Sequence, residues 1–223
     1  MKFENIVHGV FLSRPNRFIA KVLIDGREEI CHVKNTGRCG ELFVKGAAVI
    51  LQKTADPSRK TAYDLIAVYK GDVLVNVDSQ APNKIFGEYL RKLPGVTFIR
   101  PETKHGDSRF DFYFEIGERK IFAEVKGVTL EKDGAAMFPD APTERGVKHL
   151  NGLIKCIDEG YEAWAVFVIK MKGVSYFTPN RETHKEFAET LKKAEKAGVK
   201  VLAFDCLVTE DTLQIDSPVE IRI

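Results

Sequence analysis

The hydrophobic pattern of this chain changes once, near residue 80, and that change limits the folds open to it. Before it, short apolar runs alternate with turn residues, and almost no helical period is present. After it, helical periods and strand-like runs follow one another. The sequence therefore predicts two domains, residues 1–80 and residues 81–223.

The first domain has the pattern of a small β-structure. The clearest signal is Asp25–Gly26, a hairpin dipeptide between two apolar runs. The predicted strands cover residues 17–24, 28–33, 47–52, 61–69 and 73–77. Five short strands without a helix favour an OB-like β-barrel, with a compact sandwich as the alternative.

The second domain alternates between the two kinds of element. Apolar residues at helical spacing predict helices over residues 83–93, 143–160 and 181–198. Strands are predicted at residues 96–100, 110–116, 121–128, 163–171 and 199–204. The run at 163–171 is uninterrupted and apolar, as in a central strand covered on both faces. We therefore expect a mixed sheet flanked by helices, an α/β or α+β arrangement.

Asp111, Glu124 and Lys126 are the charged residues of interest in the predicted hairpin of residues 110–128. Because alternate residues of a strand share a face, Phe110 and Phe112 should point one way and Asp111 the other. Glu124 and Lys126 share a face of the second strand. If the polar faces of the two strands coincide, all three charges converge.

Two carboxylates on adjacent strands suit Mg²⁺ or Mn²⁺, which are hard cations that prefer oxygen ligands. Asp111 and Glu124 are thus predicted metal ligands, with Glu88 of the first helix as a third candidate, or simply an exposed glutamate. Lys126 could serve the attacking water and stabilise charge on a phosphate, so the predicted catalytic residues are Lys126, Asp111 and Glu124. The alternative is a functionally silent ion pair between Glu124 and Lys126 on a half-solvated strand.

The arrangement resembles the PD-(D/E)xK signature of restriction-endonuclease-like nucleases. Asp111 is followed after twelve residues by Glu124-Val125-Lys126, within a helix–strand–strand–strand–helix–strand order. The resemblance implies that Asp111 and Glu124 bind metal and that Lys126 serves the attacking water. The segment before Asp111 lacks the proline of the signature.

The helix predicted at 143–160 carries a second group of candidates. Its apolar stripe runs through Val147 and Leu150. The opposite side holds Arg145, Lys148, His149, Gly152 and Cys156. The first three of these lie at one end of the helix and could contact a phosphate, although a solvated polar face also accounts for them.

Three separated segments resemble the sugar fermentation stimulation protein A family. They are VKNTGRCGEL (33–42), FDFYF…AEVKGVTL (110–130) and FPDAPTERGVKHL (138–150). The resemblance implies an OB-like domain joined to a PD-(D/E)xK-like domain, with DNA binding as the activity and a regulatory effect on sugar metabolism. The T-x-R-G-x-K-H-L run of the family falls on Thr143, Arg145, Gly146, Lys148, His149 and Leu150.

The first domain contributes further DNA-contacting candidates. The turn Asn35–Thr36–Gly37 followed by Arg38 could hold a phosphate through free N–H groups, or it could be a capped turn at a barrel corner. Basic and aromatic residues that could grip nucleic acid on such a barrel are Arg14, Arg17, Phe18, Arg59 and Lys60. Their alternative is a plain surface role, or, for Phe18, a place in the core.

Composition limits the class of protein. A net charge of +2 gives no bulk indication of a nucleic-acid partner. No apolar run reaches the roughly 20 residues of a membrane span, and no signal-peptide pattern is present. The four cysteines form no C-x-x-C pair, so reduced thiols and a cytoplasmic location are expected.

The sequence therefore predicts a cytoplasmic DNA-binding protein with a Mg²⁺-dependent phosphodiesterase site. The alternative is a non-catalytic DNA-binding regulator that keeps the nuclease-like fold. A nucleotide- or sugar-responsive module lacks the Gly-rich phosphate loop that would support it. DNA strandedness and oligomeric state stay open.

Overall fold

Alternating apolar residues close the first domain into a barrel in the computed structural model, which describes residues 1–35 and 37–223. The barrel strands are β1 (Ile6–Asn16), β2 (Ile19–Ile24), β3 (Arg27–Val33), β4 (Ala48–Lys53) and β5 (Tyr63–Lys70). They pair in the cyclic order β1-β2-β3-β5-β4, with only the β3–β5 pairing parallel. The expected OB-like barrel is confirmed.

One barrel strand differs from the prediction. Residues 6–16 form β1, which was not predicted, whereas the predicted strand at 73–77 is β6 (Val73–Asn76), which pairs with β5 outside the closed cycle. Two register shifts between Phe11 and Asn16 break the pairing of β1 with β2. Because these irregularities disturb the period of two, the alternation of apolar residues is hard to see in the sequence.

The second domain is built on a six-stranded mixed sheet, here called the main sheet. Its strands are β7 (Val96–His105), β8 (Ser108–Ile116), β9 (Arg119–Val128), β12 (Glu162–Ile169), β14 (Lys200–Val208) and β15 (Leu213–Pro218). The spatial order is β15-β14-β12-β9-β8-β7, and β12 runs parallel to both β9 and β14. The predicted mixed sheet is therefore confirmed, and β12 lies at its centre.

Helices cover both faces of the main sheet, as expected. They are α1 (Ala81–Lys92), α2 (Glu144–Asp158) and α3 (Lys185–Lys196), the last beginning later than the predicted residue 181. Ile85 and Phe86 of α1 pack with Phe112, whereas Leu150 and Leu153 of α2 belong to the cluster on the other face. None of the helices in the described ranges is both long and apolar enough to cross a lipid bilayer.

A small second sheet lies beside the main one and was not predicted. It has the order β10-β11-β13-β16, from β10 (Leu130–Lys132), β11 (Ala135–Phe138), β13 (Tyr176–Pro179) and β16 (Glu220–Ile221). The β15 strand was also missed. Apart from the β10–β11 hairpin, the pairings of this small sheet join segments that are far apart in the chain, so local sequence pattern carries little information about them.

Candidate functional site

The predicted hairpin brings its charged residues together where the pairing of β8 with β9 ends. Phe112 lies opposite Ala123, the last pair of this ladder, so Asp111 and Glu124 are the next residues on the two strands. The expected alternation breaks at this point: Phe110 packs on the α2 side of the sheet and Phe112 on the α1 side. The prediction that these two rings share a face is therefore wrong. Asp111 sits at the irregular step between them.

Glu124 is the buried centre of the group, with 4% of its surface exposed. Its Oε1 atom accepts a hydrogen bond from Lys126 Nζ at 2.5 Å and is bonded to His149 Nδ1. Its Oε2 atom is buried and has no hydrogen-bond partner among the described residues. Burial by itself would raise the pKa of Glu124, but the bonds from His149 and Lys126 outweigh it and lower that pKa. Glu124 is therefore an ionised carboxylate with one oxygen left over.

Asp111 faces the same group from the neighbouring strand. Its Oδ2 accepts the backbone N–H of Val125 at 2.7 Å, and its Oδ1 accepts from Asn83 Nδ2 at 2.8 Å. Burial raises the pKa of Asp111, and the charge of Glu124 raises it further. Asn83 is a partner that sequence reasoning missed, because nothing in the α1 pattern marks it.

The donor set fits a hard divalent cation. A buried and a half-buried carboxylate that repel one another, together with a buried oxygen without a partner among the described residues, are the features that such an ion would satisfy. Asp111 and Glu124 are therefore the residues that could hold it. Lys126, about one-fifth exposed, lies beside them with its ammonium on Glu124.

His149 approaches Glu124 from α2. The helix begins at Glu144 because Thr143 Oγ1 accepts the N–H of Gly146 at 3.1 Å, an N-cap bond that places His149 in the second turn. His149 is 6% exposed, and its Nε2 accepts from Arg145 Nε at 3.4 Å. We assign the ring proton to Nδ1, which donates to Glu124.

The alternative of a solvated polar face on the His149 side of α2 is wrong beyond the first turn of the helix. His149 and Cys156 are buried, and the Cα of Gly152 lies close to Ser108. The helix is packed between the main sheet and α3, so two of its sides are covered. Only Arg145 and Lys148 of the predicted phosphate-contacting group are exposed.

Glu88 does not join the hydrogen-bonded group. Its carboxylate binds the amino group of Met1 at 2.7 Å. Glu88 and Asp111 nevertheless line one cavity of 560 Å³ between α1 and the β7–β8 strands, together with Lys84 and Arg91.

The predicted cations of the barrel fall into two kinds. Arg14 is a structural clamp, because its guanidinium donates to the backbone carbonyls of Arg17, Asn35, Gly37 and Arg38. The side chains of Arg17 and Arg38 are exposed on the two loops that Arg14 joins. Phe18, interpreted as a core residue, is instead 50% exposed beside Arg17, so that interpretation is wrong.

Arg59 is also engaged, in a two-bond pair with Asp64 at 2.8 and 2.5 Å. Burial would raise the pKa of Asp64, but Arg59 and Lys34 bring it well below its usual range. Lys60 is exposed. Thr36, part of the predicted phosphate-holding turn, lies outside the described residues.

A second group of possible metal ligands lies at the start of α2 and α3. Single ligand atoms of Glu144, His184 and Glu186 lie within 4.8 Å of one another. However, His184 Nδ1 accepts the N–H of Thr143 at 3.3 Å, which assigns the ring proton to Nε2, and Nε2 faces Glu144 at 3.5 Å. A ring nitrogen that carries a proton cannot bind a metal, so the contact of His184 with Glu144 is interpreted as a hydrogen bond from the ring to the carboxylate.

Fold and site together define a two-domain protein in which an OB-like barrel precedes a mixed-sheet domain with an acid–acid–lysine group on a hairpin. Residues 12–77 match the family described as the SfsA N-terminal OB domain, and residues 80–212 match the sugar fermentation stimulation protein RE domain. The chain belongs to the sugar fermentation stimulation protein family, and the resemblance found in the sequence is confirmed.

Relatives cover the whole chain. The sugar fermentation stimulation protein homolog of Desulfitobacterium hafniense (strain DSM 10664 / DCB-2) is 58% identical over 225 residues, 100% of this chain and 99% of the relative. The homolog of Clostridium beijerinckii is 58% identical over 224 residues, 99% of each chain. A solved structure, Pyrococcus furiosus SfsA in complex with Ca²⁺, superposes with a TM-score of 0.88 at 30% identity and covers 100% of this chain and 98% of that chain.

Proposed function

We propose that this protein binds DNA and that its second domain hydrolyses phosphodiester bonds with a divalent cation, Mg²⁺ or Mn²⁺, held by Asp111 and Glu124. The observation that carries the proposal is the buried Oε2 atom of Glu124, which has no partner among the described residues and lies in a group that already holds a second carboxylate. An orphaned buried carboxylate oxygen is costly unless a ligand completes it. The description of the Pyrococcus furiosus relative as a Ca²⁺ complex supports a divalent cation here.

The roles of the side chains follow from their contacts. His149 and Lys126 both bind Oε1 of Glu124, which keeps this carboxylate ionised and leaves Oε2 available. Val125 and Asn83 hold Asp111 in place by each donating to one of its two carboxylate oxygens. A divalent cation supplies Lewis-acid polarisation of a phosphoryl oxygen and activation of a water molecule.

Lys126 and Arg145 would act on the substrate. The ammonium of Lys126 is partly exposed, so it can turn from Glu124 towards an attacking water or a phosphate oxygen. Arg145 is exposed and bonded to His149, so it can neutralise a phosphate bound above Glu124. His149 itself is committed to Glu124 and would act as a positioning residue.

The DNA grip would extend over both domains. On the barrel, Arg17, Phe18 and Arg38 are exposed on loops that Arg14 holds together, a combination of cations and an aromatic ring that suits nucleic acid. On the second domain Lys148 continues the basic surface. These contacts are phosphate and stacking contacts and read no base sequence.

The second candidate function is a non-catalytic DNA-binding regulator. It is favoured by the contacts of the site, because the Lys126 ammonium and a hydrogen bond from His149 already stabilise the Glu124 carboxylate without a metal ion. In that case the acidic group would be a structural remnant, and the protein would bind DNA with no divalent requirement.

A cleavage assay separates the two functions. Single-stranded, duplex and branched DNA would be incubated with Mg²⁺ or Mn²⁺ and the wild type, Lys126→Met or Lys120→Met. Lys120 is an exposed lysine of the same strand and serves as the matched control. We expect cutting by the wild type and the control and none by Lys126→Met. No cutting of any substrate by the wild type, with DNA binding retained, would favour the regulator.

A further inference from the structure

A cavity of 300 Å³ lies where the two domains meet, and the proposed cleavage does not use it. Asn35 and Gly37 line it from the barrel, Gly127 and Thr129 from the end of β9, and the remaining wall comes from Ser79, Lys170 and the loop of residues 138–143. Its volume is at the lower end of the range of about 300–1,000 Å³ for small-ligand pockets. We name it the junction cavity.

Lys170 is the unusual residue of the junction cavity. It follows β12 and is only 2% exposed. Its backbone is held on both sides, because its N–H binds the carbonyl of Val128 at 2.9 Å and its carbonyl accepts the N–H of Asn76 at 2.9 Å. The backbone of Lys170 is thus held between the main sheet and the end of the barrel domain.

The ammonium of Lys170 is short of partners. Among the described residues its one hydrogen bond goes to the Asp78 carbonyl at 3.1 Å, and no carboxylate oxygen lies within the 4.0 Å of a salt bridge. Burial lowers the pKa of Lys170 to about 8, so the group still carries its charge at pH 7. A buried ammonium with three donors and one acceptor is costly unless an anion completes it.

Two further features of the cavity wall affect anion binding, one favourably and one unfavourably. Thr143, the N-cap of α2, and Pro142 line the cavity, so it lies next to the N-terminal end of a 15-residue helix, where the helix dipole favours an anion. Asp140 also lines the cavity, and its Oδ2 lies so close to Gly37 that a methyl group there would be 2.7 Å away. The negative charge of this carboxylate repels a bound anion and therefore weakens its binding.

We propose that the junction cavity binds a phosphate group through the Lys170 ammonium and the N-terminal end of α2. The group could be a terminal phosphate of DNA or a free phosphate, which share this chemistry. The site is separate from Asp111 and Glu124, so it does not depend on whether the neighbouring group cleaves DNA.

The test measures binding in EDTA, which removes any divalent cation. Inorganic phosphate would be added to the full chain against sodium chloride of equal ionic strength, and the shift in Tm and the Kd from calorimetry recorded. We expect Lys170→Met to weaken phosphate binding about tenfold or more and Asp140→Asn to strengthen it. Lys192→Met, which removes an exposed lysine of α3, should match the wild type.

A structural lysine gives a different result. If Lys170 serves only the fold, Lys170→Met lowers stability and leaves the phosphate response unchanged. If Lys170 binds phosphate, Lys170→Met keeps or raises the stability of the protein and loses the response to phosphate. Equal phosphate affinity in the wild type, Lys170→Met and Asp140→Asn would overturn the proposal.

The source of the phosphate is resolved by two oligonucleotides that differ only in a 5′-phosphate or a 5′-hydroxyl. A Lys170-dependent preference for the 5′-phosphate supports a DNA end, and a response to inorganic phosphate alone supports a free ion. Lys126→Met tests cleavage in the presence of Mg²⁺ or Mn²⁺, whereas Lys170→Met tests phosphate binding in EDTA. Failure of the cleavage site and failure of the phosphate site are therefore seen in different variants.

Discussion

Replacing Asp111 separates the structural and the metal-binding contributions of the site. Asp111→Asn keeps an oxygen for the Val125 N–H, and the side-chain amide of Asn83 can turn to accept from the new NH₂ group, so both hydrogen bonds survive. It also removes the charge that burial and Glu124 disfavour. Asp111→Ala instead leaves the Val125 N–H buried without an acceptor, which costs about 1–3 kcal/mol.

Without divalent cations, Asp111→Asn should therefore be at least as stable as the wild type. Asp111→Ala should be the least stable of the three proteins, about 2 kcal/mol below Asp111→Asn. Urea unfolding at pH 7 in EDTA measures it, with equal m-values as the check that the unfolded states match. Adding Mg²⁺ or Mn²⁺ should stabilise only the wild type, by about 2.7 kcal/mol at 100 times Kd.

Two results would refute this reasoning. A wild type clearly more stable than Asp111→Asn in EDTA would mean that the Asp111 carboxylate is stabilised by the fold itself and is not held ready for a cation. Equal stabilisation of the wild type and Asp111→Asn by Mg²⁺ would place any cation elsewhere.

Three further predictions concern packing, titration and DNA. Gly152→Ala should destabilise the protein by about 1–3 kcal/mol, because the new methyl group would lie 2.6 Å from Ser108 Oγ. Gly87→Ala, whose methyl group would have no contact under 3.5 Å, should stabilise the protein by about 0.5–1 kcal/mol. A thermal unfolding experiment in which both variants shift Tm in the same direction contradicts this prediction. The Lys170 ammonium loses its proton near pH 8 in the folded state and near pH 10.5 in the unfolded state. Between these pH values the free energy of unfolding of the wild type, relative to Lys170→Met, should therefore rise by up to about 3 kcal/mol. A difference between the two proteins that stays constant with pH in urea unfolding contradicts this prediction. Arg38→Ala should lower the log–log salt slope of DNA binding by about 1 without changing Tm, and an unchanged slope removes Arg38 from the interface.

Local sequence pattern is a good guide to the hairpin that carries the site. The turn at Gly117 and the run lengths on either side predict the two strands, and β8 and β9 are observed there. The register follows from the turn, so the sequence alone places Asp111 and Glu124 on neighbouring strands. The same reasoning does not predict strand β1, because the pairing of β1 with β2 is irregular.

The surroundings of the hairpin charges are not predictable in this way. His149 reaches Glu124 from a helix 25 positions later in the chain, and Asn83 reaches Asp111 from a helix 28 positions earlier. Helical periodicity says which side of α2 is apolar, but not that α2 is covered on two sides. For this reason a histidine that the pattern places in solvent is found buried.

Sequence alone therefore determined the two domains and the pair of acids with a lysine on one hairpin, since period, turn and register are properties of adjacent residues. Tertiary structure decided which of the charges are satisfied. Glu124 keeps one oxygen without a partner among the described residues, Arg14 is engaged by four carbonyls, and Lys170 is buried at the junction of the domains. Burial and hydrogen bonding depend on chain segments that meet only in the fold, and those two quantities set what each charge can do.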